Sequence, residues 1–159
     1  MSARFSIRMS FAADAQRVFE LVSDPAFLER KAYHFGAKTV DTRVRELEGK
    51  KEIEIEVRAP SRWGKREDHW AMTFLYDAQR LEATWVHRVF GLEDRSKVRG
   101  EIRVIDHSGT RCDYLHSGTI DISVPLMGGV IERQVKKLIE KNIREERDYI
   151  QEMLGARRS

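Results

Sequence analysis

The sequence predicts an α+β domain in which a curved antiparallel sheet of seven strands packs its concave face against one long C-terminal helix. Three observations lead to this fold class. Seven segments alternate apolar and polar residues, two short amphipathic segments separate the first of them from the rest, and the last segment repeats its apolar residues at helical spacing. Since the strands carry one apolar face, a single cover is needed, and the last helix supplies it.

The first strand and the two short helices are marked by local signals. Apolar and polar residues alternate strictly over Phe5–Phe11, which is typical of a half-buried strand. Asp14 then offers an N-cap to a first short helix, and Asp24 with Pro25 begins a second one. Gly36 is expected to end the second helix.

Six further segments alternate with a period of two residues as far as Pro125, with a polar loop over Ala59–Glu67. Their apolar sets are expected on one face of the sheet, with charged residues such as Arg99 and Arg103 on the other. The inward sets are Val40, Thr42, Val44; Ile53, Ile55, Val57; Trp70, Met72, Phe74, Tyr76; Leu81, Ala83, Trp85, His87, Val89; Val98, Gly100, Ile102, Val104; and Cys112, Tyr114, His116, Gly118, Ile120, Ile122.

Short hairpins predict the pairing between neighbouring strands. Val57 is expected opposite Trp70, Tyr76 opposite Leu81, and Val104 opposite Cys112, which keeps every apolar set on one face. The same register places His116 opposite Gly100 and Tyr114 beside Ile102. Since glycine has no side chain, we expect open space above the strand next to His116.

The covering helix is predicted over Leu126–Leu154, which contains no proline and has glycine only at its start. A helix of this length spans roughly 40 Å at 1.5 Å per residue, enough to cross the sheet. Its apolar stripe consists of Ile131, Val135, Leu138, Ile139, Ile143, Tyr149, Ile150 and Met153.

Composition limits the class of protein. Of 159 residues, 41% are hydrophobic and 35% charged, which predicts one globular domain over residues 1–155, followed by a basic tail at 156–159. No apolar run approaches the ~20 residues that span a bilayer, and the N-terminus lacks the apolar segment of a signal peptide. The lone Cys112 cannot form an internal disulfide. We therefore expect a cytoplasmic protein without integral membrane association.

The charge distribution predicts a solvated surface and no nucleic-acid partner. The chain carries 29 basic and 26 acidic residues, a net charge of +3, and the two signs are interspersed. The two basic residues near the end, Arg157 and Arg158, are too few to predict binding to nucleic acid or to anionic lipid.

Two stretches resemble a known superfamily. Residues Phe11–Phe19, followed by Ser23-Asp24-Pro25, are similar to the opening of START-like (SRPBCC, helix-grip) proteins, which include birch-pollen-allergen, polyketide-cyclase and lipid-transfer branches. Residues Val124–Glu132 resemble the strand-to-helix junction of an uncharacterised bacterial branch catalogued as a domain of unknown function. The resemblance covers essentially the whole chain. It implies a cavity between sheet and helix that takes an apolar ligand.

The inward face holds few titratable groups. Acidic strand residues other than Glu46 have outward parity, so general acid–base chemistry would depend on histidine and tyrosine. Each of these side chains has two open interpretations, a core residue with a hydrogen-bonded neighbour or a ligand contact. Asn142, close to the helical stripe, is a ligand contact if it faces inward and a surface amide if it faces out. The candidate ligand-binding residues are Trp70, Phe74, Tyr76, Trp85, His87, Tyr114, His116 and Asn142.

Three functions remain open from the sequence. The leading hypothesis is a binding or carrier protein for an apolar or amphipathic small molecule, since aromatic residues line the face with few polar anchors. The second is an enzyme of cyclase or dehydratase type that uses the pocket histidines and tyrosines. The third is a protein-interaction module with a filled core. We predict no catalytic residue outright, and no metal or cofactor, because the five histidines lack ligand spacing and no phosphate-binding motif occurs. The oligomeric state is not predicted.

Overall fold

A computed structural model describes residues 2–61 and 66–156 of the chain. Residues 62–65 of the expected polar loop and residues 157–159 of the expected tail lie outside that description. The order is one strand, two short helices, six strands and one long helix, as predicted. The elements are β1 (Ala3–Phe11), α1 (Ala15–Val22), α2 (Pro25–His34), β2 (Thr39–Leu47), β3 (Lys50–Pro60), β4 (Glu67–Asp77), β5 (Glu82–Val89), β6 (Ser96–His107), β7 (Arg111–Ile122) and α3 (Gly128–Ala156).

The seven strands form one antiparallel sheet in the order β1-β7-β6-β5-β4-β3-β2. The predicted parity is confirmed. Phe74, Trp85 and Tyr114 are buried on the inward face, whereas Arg99 and Arg103 are exposed on the outer face. Every strand except the two edge strands therefore has its backbone paired on both sides, and the inward face needs cover only from the helices.

The predicted helix caps are also confirmed. The Asp14 carboxylate accepts a hydrogen bond from the Gln16 N–H at 2.7 Å, and Asp24 accepts from Ala26 at 3.0 Å, with Pro25 in the first turn. The second short helix ends one residue before Phe35, and Gly36 follows with a φ of 103°. The carboxylates of Asp14 and Asp24 thus accept hydrogen bonds from N–H groups that the start of a helix leaves unpaired.

Two of the predicted hairpin registers are wrong by two residues. Val57 lies opposite Trp70 as expected, but Tyr76 pairs with Ala83 and not with Leu81. Leu81 belongs to the turn, where it takes a φ of 53°. In the β6–β7 hairpin, Val104 pairs with Tyr114 and not with Cys112. A shift of two residues leaves every side chain on its face, so parity alone could not reveal it.

The long helix is buried unevenly along its length. In the C-terminal half, Ile143, Tyr149, Ile150 and Leu154 are buried, and Arg17 of α1 donates a hydrogen bond to the Leu154 carbonyl at 2.6 Å. In the N-terminal half the stripe residues are only half-buried: Ile131, Val135, Leu138 and Ile139. The backbone of α3 lies closest to β1 and β7. Its C-terminal half therefore forms the tighter cover.

The first short helix closes one end of the sheet, whereas α2 runs along the β2 edge to the other end, where the Val40 N–H donates to the Tyr33 hydroxyl. Buried residues of α1, including Phe19 and Val22, reach the end of β4, where the Tyr76 hydroxyl donates to the Val22 carbonyl at 2.9 Å. At the opposite end, the inward-facing Trp70 and His87 keep part of their surface exposed. The sheet is thus sealed at the Tyr76 end and more open at the Trp70 end.

Candidate functional site

Three predicted site residues, Trp85, His116 and Tyr114, lie close together at the centre of the sheet. The indole N–H of Trp85 donates a hydrogen bond to Nε2 of His116 at 2.8 Å, and the two buried rings meet edge to face. Since Nε2 accepts this bond, it carries no proton, and the neutral imidazole must hold its proton on Nδ1. The neutral His116 ring therefore carries its proton on Nδ1, from which it can donate a second hydrogen bond.

Two buried polar atoms at this centre have no hydrogen-bond partner among the described residues: Nδ1 of His116 and the hydroxyl of Tyr114. Tyr114 is fully buried, His116 is 7% exposed, and their ring centroids lie 6.1 Å apart. An unpaired buried polar group costs about 1–3 kcal/mol, so such groups in folded proteins call for a partner. A ligand oxygen, or a water, is the kind of partner that fits both atoms.

The helix contributes a residue that the sequence analysis missed. Glu146 of α3 is buried at 8% exposure, and its carboxylate forms an ion pair at 3.3 Å with Lys31 of α2. The missed signal is spacing, because Glu146 follows Ile143 by three residues and precedes Ile150 by four, which places it on the buried stripe. The interior therefore does contain a carboxylate, supplied by the helix and not by the sheet.

Burial and the ion pair determine the protonation states. Desolvation lowers the pKa of His116 to about 4; the charge of Glu146 opposes this shift and that of Lys31 adds to it. Burial first, and then Glu146, raise the pKa of Tyr114 well above its ordinary value. The Glu146 carboxylate comes near the Tyr114 hydroxyl without the geometry of a hydrogen bond. At neutral pH both ring side chains are uncharged.

A second group of predicted residues lies at the open end of the sheet. The rings of Trp70 and His87 are 5.3 Å apart, and Met72 lies opposite His87 in the next strand. All three face inward yet remain half-buried. Protein surrounds most of the His87 ring, and this burial lowers its pKa to about 4. We call Trp70, Met72 and His87 the open-end group.

The space expected beside His116 is filled. His116 pairs with Ile102, while Gly100 pairs with Gly118. A Cβ at Gly118 would come within 2.6 Å of the Phe5 ring, and one at Gly100 would collide with the Trp85 ring. The glycines therefore admit two aromatic rings and not a ligand, so the argument that predicted a void at this point was wrong.

The remaining candidates differ in surroundings. Phe74 stacks on Tyr76 with ring centroids 5.6 Å apart, and the hydroxyl of Tyr76 is already bonded to Val22. Burial, with a smaller contribution from Glu146, raises the pKa of Tyr76 well above its ordinary value. Asn142 is exposed on the outer side of α3, which contradicts an inward-facing role. The rotation of α3 about its own axis determines on which side Asn142 lies.

Two surface depressions are present outside the sheet–helix interface. One of about 560 Å³ lies at the junction between β7 and α3 and is lined by residues that include Ser123, Leu126 and Glu132. The other, of about 300 Å³, lies on the outer face and is lined by residues such as Leu75, Thr84 and Glu101. Within residues 2–61 and 66–156, no three side chains are grouped as metal ligands, and no helix is long and apolar enough to cross a membrane.

The sheet with its two short helices and long C-terminal helix is a helix-grip fold, the fold of START-like (SRPBCC) proteins. The chain belongs to the family described as "Protein of unknown function (DUF2505)", whose model matches residues 61–154. No curated protein matches the chain.

Solved structures share the fold at low sequence identity. A Thermus thermophilus protein is 17% identical with a TM-score of 0.74, over 99% of this chain and 100% of that one. The Zhui aromatase/cyclase of a Streptomyces species is 14% identical with a TM-score of 0.75, over 100% and 97%. Norcoclaurine synthase of Thalictrum flavum is 14% identical with a TM-score of 0.73, over 100% and 98%. At these identities the likeness shows the fold alone.

Proposed function

We propose that this protein binds an apolar or amphipathic small molecule, with one hydroxyl or carbonyl oxygen, between its sheet and α3. The observation that carries the proposal is a pair of buried polar atoms, on His116 and Tyr114, that have no hydrogen-bond partner among the described residues. In this proposal the His116 Nδ1–H donates to the ligand oxygen, and the Tyr114 hydroxyl donates or accepts beside it. An otherwise apolar ligand with a single polar group matches this arrangement.

The apolar part of the ligand would enter at the open end of the sheet. There the open-end group (Trp70, Met72 and His87) is half-buried, and the N-terminal half of α3 above the sheet is also only half-buried. A ligand that replaced water on these surfaces would gain about 25 cal/mol for each Å² of apolar area buried. The names of two similar structures, an aromatase/cyclase and a synthase crystallised with dopamine and hydroxybenzaldehyde, support an aromatic ligand.

A second candidate function is an enzyme of the cyclase or dehydratase type. The observation that favours it is the buried Glu146, which brings a carboxylate near the Tyr114 hydroxyl and beside the Lys31 ammonium. The Glu146 carboxylate and the neutral His116 both lie in the protein interior, where they could accept a proton from a substrate and return it. Once a ligand is identified, Glu146→Gln discriminates between the two functions. If the protein is a carrier, wild type and variant both bind the ligand and neither converts it. If it is an enzyme, wild type converts the ligand, whereas the variant binds it without converting it.

The test compares two fully buried tyrosines that differ in one respect. Tyr114→Phe removes a hydroxyl without a partner in the described structure, while the matched control Tyr76→Phe removes one bonded to Val22. A ligand is first identified by native mass spectrometry of the freshly purified protein. Binding of that ligand to Tyr114→Phe should weaken roughly 5- to 150-fold, since losing such a contact costs about 1–3 kcal/mol.

The stability of the two variants should change in opposite senses. Tyr76→Phe should lose about 1 kcal/mol in urea denaturation and keep its ligand affinity, whereas Tyr114→Phe should be at least as stable as wild type without ligand. His116→Phe is a less clean variant because it also leaves the Trp85 N–H unpaired. Equal affinity of Tyr114→Phe and wild type would refute the site. Absence of any bound small molecule would favour the filled-core interaction module instead.

A further inference from the structure

The junction between β7 and α3 exposes large apolar side chains at one end of the molecule. Leu126 is fully exposed, Met127 is 55% exposed and Val130 is 42% exposed. Leu92, at 49% exposure, lies in the adjoining β5–β6 loop, which accepts a hydrogen bond from Ser123 N–H at the Arg95 carbonyl. We call Leu92, Leu126, Met127 and Val130 the junction tip.

The backbone presents Leu126 to solvent at a conformational cost. Its φ of 67° lies in the left-handed region, which a branched apolar side chain rarely adopts. The turn is held by hydrogen bonds from Met127 N–H and Gly128 N–H to the Val124 carbonyl, at 3.2 and 2.9 Å. Nothing in the described structure covers the side chain that this turn projects. A strained residue that exposes an apolar group points to a contact outside the molecule.

The α3 side of the junction tip is basic, whereas the β5–β6 loop around Leu92 carries exposed Glu93 and Asp94 beside Arg95. Between Asp121 and Glu140 the sequence has Arg133, Lys136 and Lys137 and only one acidic residue, Glu132. Glu132 is 3% exposed and accepts the Ile122 N–H at 2.8 Å, so its charge is turned inward. Arg133 and Lys137 follow Val130 by three and seven residues, which places all three on one side of the helix.

The basic charges are also available for a partner. Within residues 2–61 and 66–156, neither Arg133 nor Lys137 forms an ion pair, and both are exposed. Lys136 pairs with Glu140 at the limiting distance of 4.0 Å. An exposed apolar tip followed by unpaired basic residues is the combination that lies at the interface of an anionic bilayer.

We propose that the junction tip docks onto an anionic lipid surface, with Leu126, Met127 and Val130 in the interfacial region and Arg133 and Lys137 against the headgroups. The proposal does not depend on the proposed ligand site. If both hold, docking brings the open end of the sheet, at Trp70, toward the membrane.

The experiment is vesicle flotation of the full chain, with phosphatidylcholine vesicles and with vesicles that also contain phosphatidylglycerol. Wild type should float with the anionic vesicles only, and added salt should release it. Arg133→Gln/Lys137→Gln should bind roughly 10- to 30-fold more weakly, since each basic residue near such a surface contributes about fivefold. Leu126→Ser/Met127→Ser should lose most of the binding.

Matched controls separate the tip from general charge and hydrophobicity. Arg4→Gln/Arg99→Gln removes two exposed positive charges from the outer face, and Val86→Ser removes an apolar residue that is 54% exposed there. Both controls should bind vesicles like wild type. The proposal is overturned by equal losses in the controls, by flotation with neutral vesicles alone, by absence of flotation, or by a concentration-dependent dimer that Leu126→Ser/Met127→Ser dissolves.

Discussion

His116 shows how one side chain combines a structural contact with the polar atom on which the proposed ligand site rests. Its Nε2 accepts the Trp85 N–H, and this bond orients the ring, while Nδ1 is left without a partner in the described structure. Tyr76 and Tyr114 present the same contrast, since both are fully or nearly fully buried and only Tyr76 has its hydroxyl bonded. Burial by itself therefore does not distinguish the two tyrosines; they differ in that the Tyr114 hydroxyl has no hydrogen-bond partner among the described residues.

The pKa of His116 leads to a prediction about acid stability. Its pKa falls from 6.5 in the unfolded chain to about 4 in the folded protein, so the unfolded chain binds more protons between these values. His116 therefore makes the free energy of unfolding depend on pH: its contribution is fully present above pH 6.5. As the pH falls toward 4, the free energy of unfolding decreases by about 3 kcal/mol in total. The measurement is urea denaturation across this range.

The matched variant for the acid experiment is His116→Gln, whose amide oxygen can still accept the Trp85 N–H. It does not titrate, so its free energy of unfolding should fall less steeply than that of wild type between pH 6.5 and 4. His87 titrates in both proteins and cancels in the comparison. Parallel curves for the two proteins would show that His116 is readily protonated in the folded state.

At the scale of elements, the two halves of α3 differ in burial and in their contacts. The C-terminal half buries Ile143, Tyr149 and Ile150. Arg17 connects it to α1, and the Lys31–Glu146 ion pair connects it to α2. The N-terminal half carries half-buried residues on its inner side and the exposed junction tip at its start. The first part stabilises the fold, and the second covers the open end where we propose that a ligand enters.

Alanine substitutions in the two halves should therefore differ in cost. Ile150→Ala empties a fully buried position and should lower the free energy of unfolding by about 2–5 kcal/mol. Val135→Ala, at a half-buried position, should cost about 1 kcal/mol or less. Urea denaturation with unchanged m-values gives both numbers. Similar costs at the two positions would contradict the division of the helix.

At the scale of the whole molecule, the long helix covers much of the apolar face of a one-sided sheet. The inward face presents aromatic and branched residues from all the central strands, including Phe74, Trp85 and Tyr114, and the short helices cover only one end and the β2 edge. Without α3 this surface would face water as a large apolar patch. The sheet and its helix are consequently one cooperative unit.

Deleting residues 126–159 should leave an insoluble or molten chain. The four buried apolar side chains of α3 contribute about 1.5–3 kcal/mol each, and their total of about 6–12 kcal/mol is comparable to the whole stability of a domain, about 5–15 kcal/mol. The deletion should bind the dye ANS and lose its near-UV circular dichroism. The Leu126→Ser/Met127→Ser chain, which keeps the helix, is the control and should melt cooperatively. A soluble, cooperatively melting deletion would show that the sheet folds without its cover.

The sequence by itself determined the element order, the strand parity and the helix caps. Alternation along β1, the Asp14 and Asp24 caps and the stripe of α3 are local signals, because each depends on residues within a few positions of one another. Most of the candidate site followed from parity, since Trp85, Tyr114 and His116 share the inward face. Parity repeats every two residues, so it did not distinguish Tyr114 from Cys112 as the partner of Val104.

Only the tertiary structure decided what surrounds those residues. It filled the space over Gly100 and Gly118 with the rings of Trp85 and Phe5, and it turned Asn142 outward. It also brought Glu146 to Lys31, 115 positions away in the chain, and left Nδ1 of His116 without a partner in the described structure. Such contacts depend on how far a helix is rotated and on which distant side chains reach the same point, and neither is encoded in local periodicity.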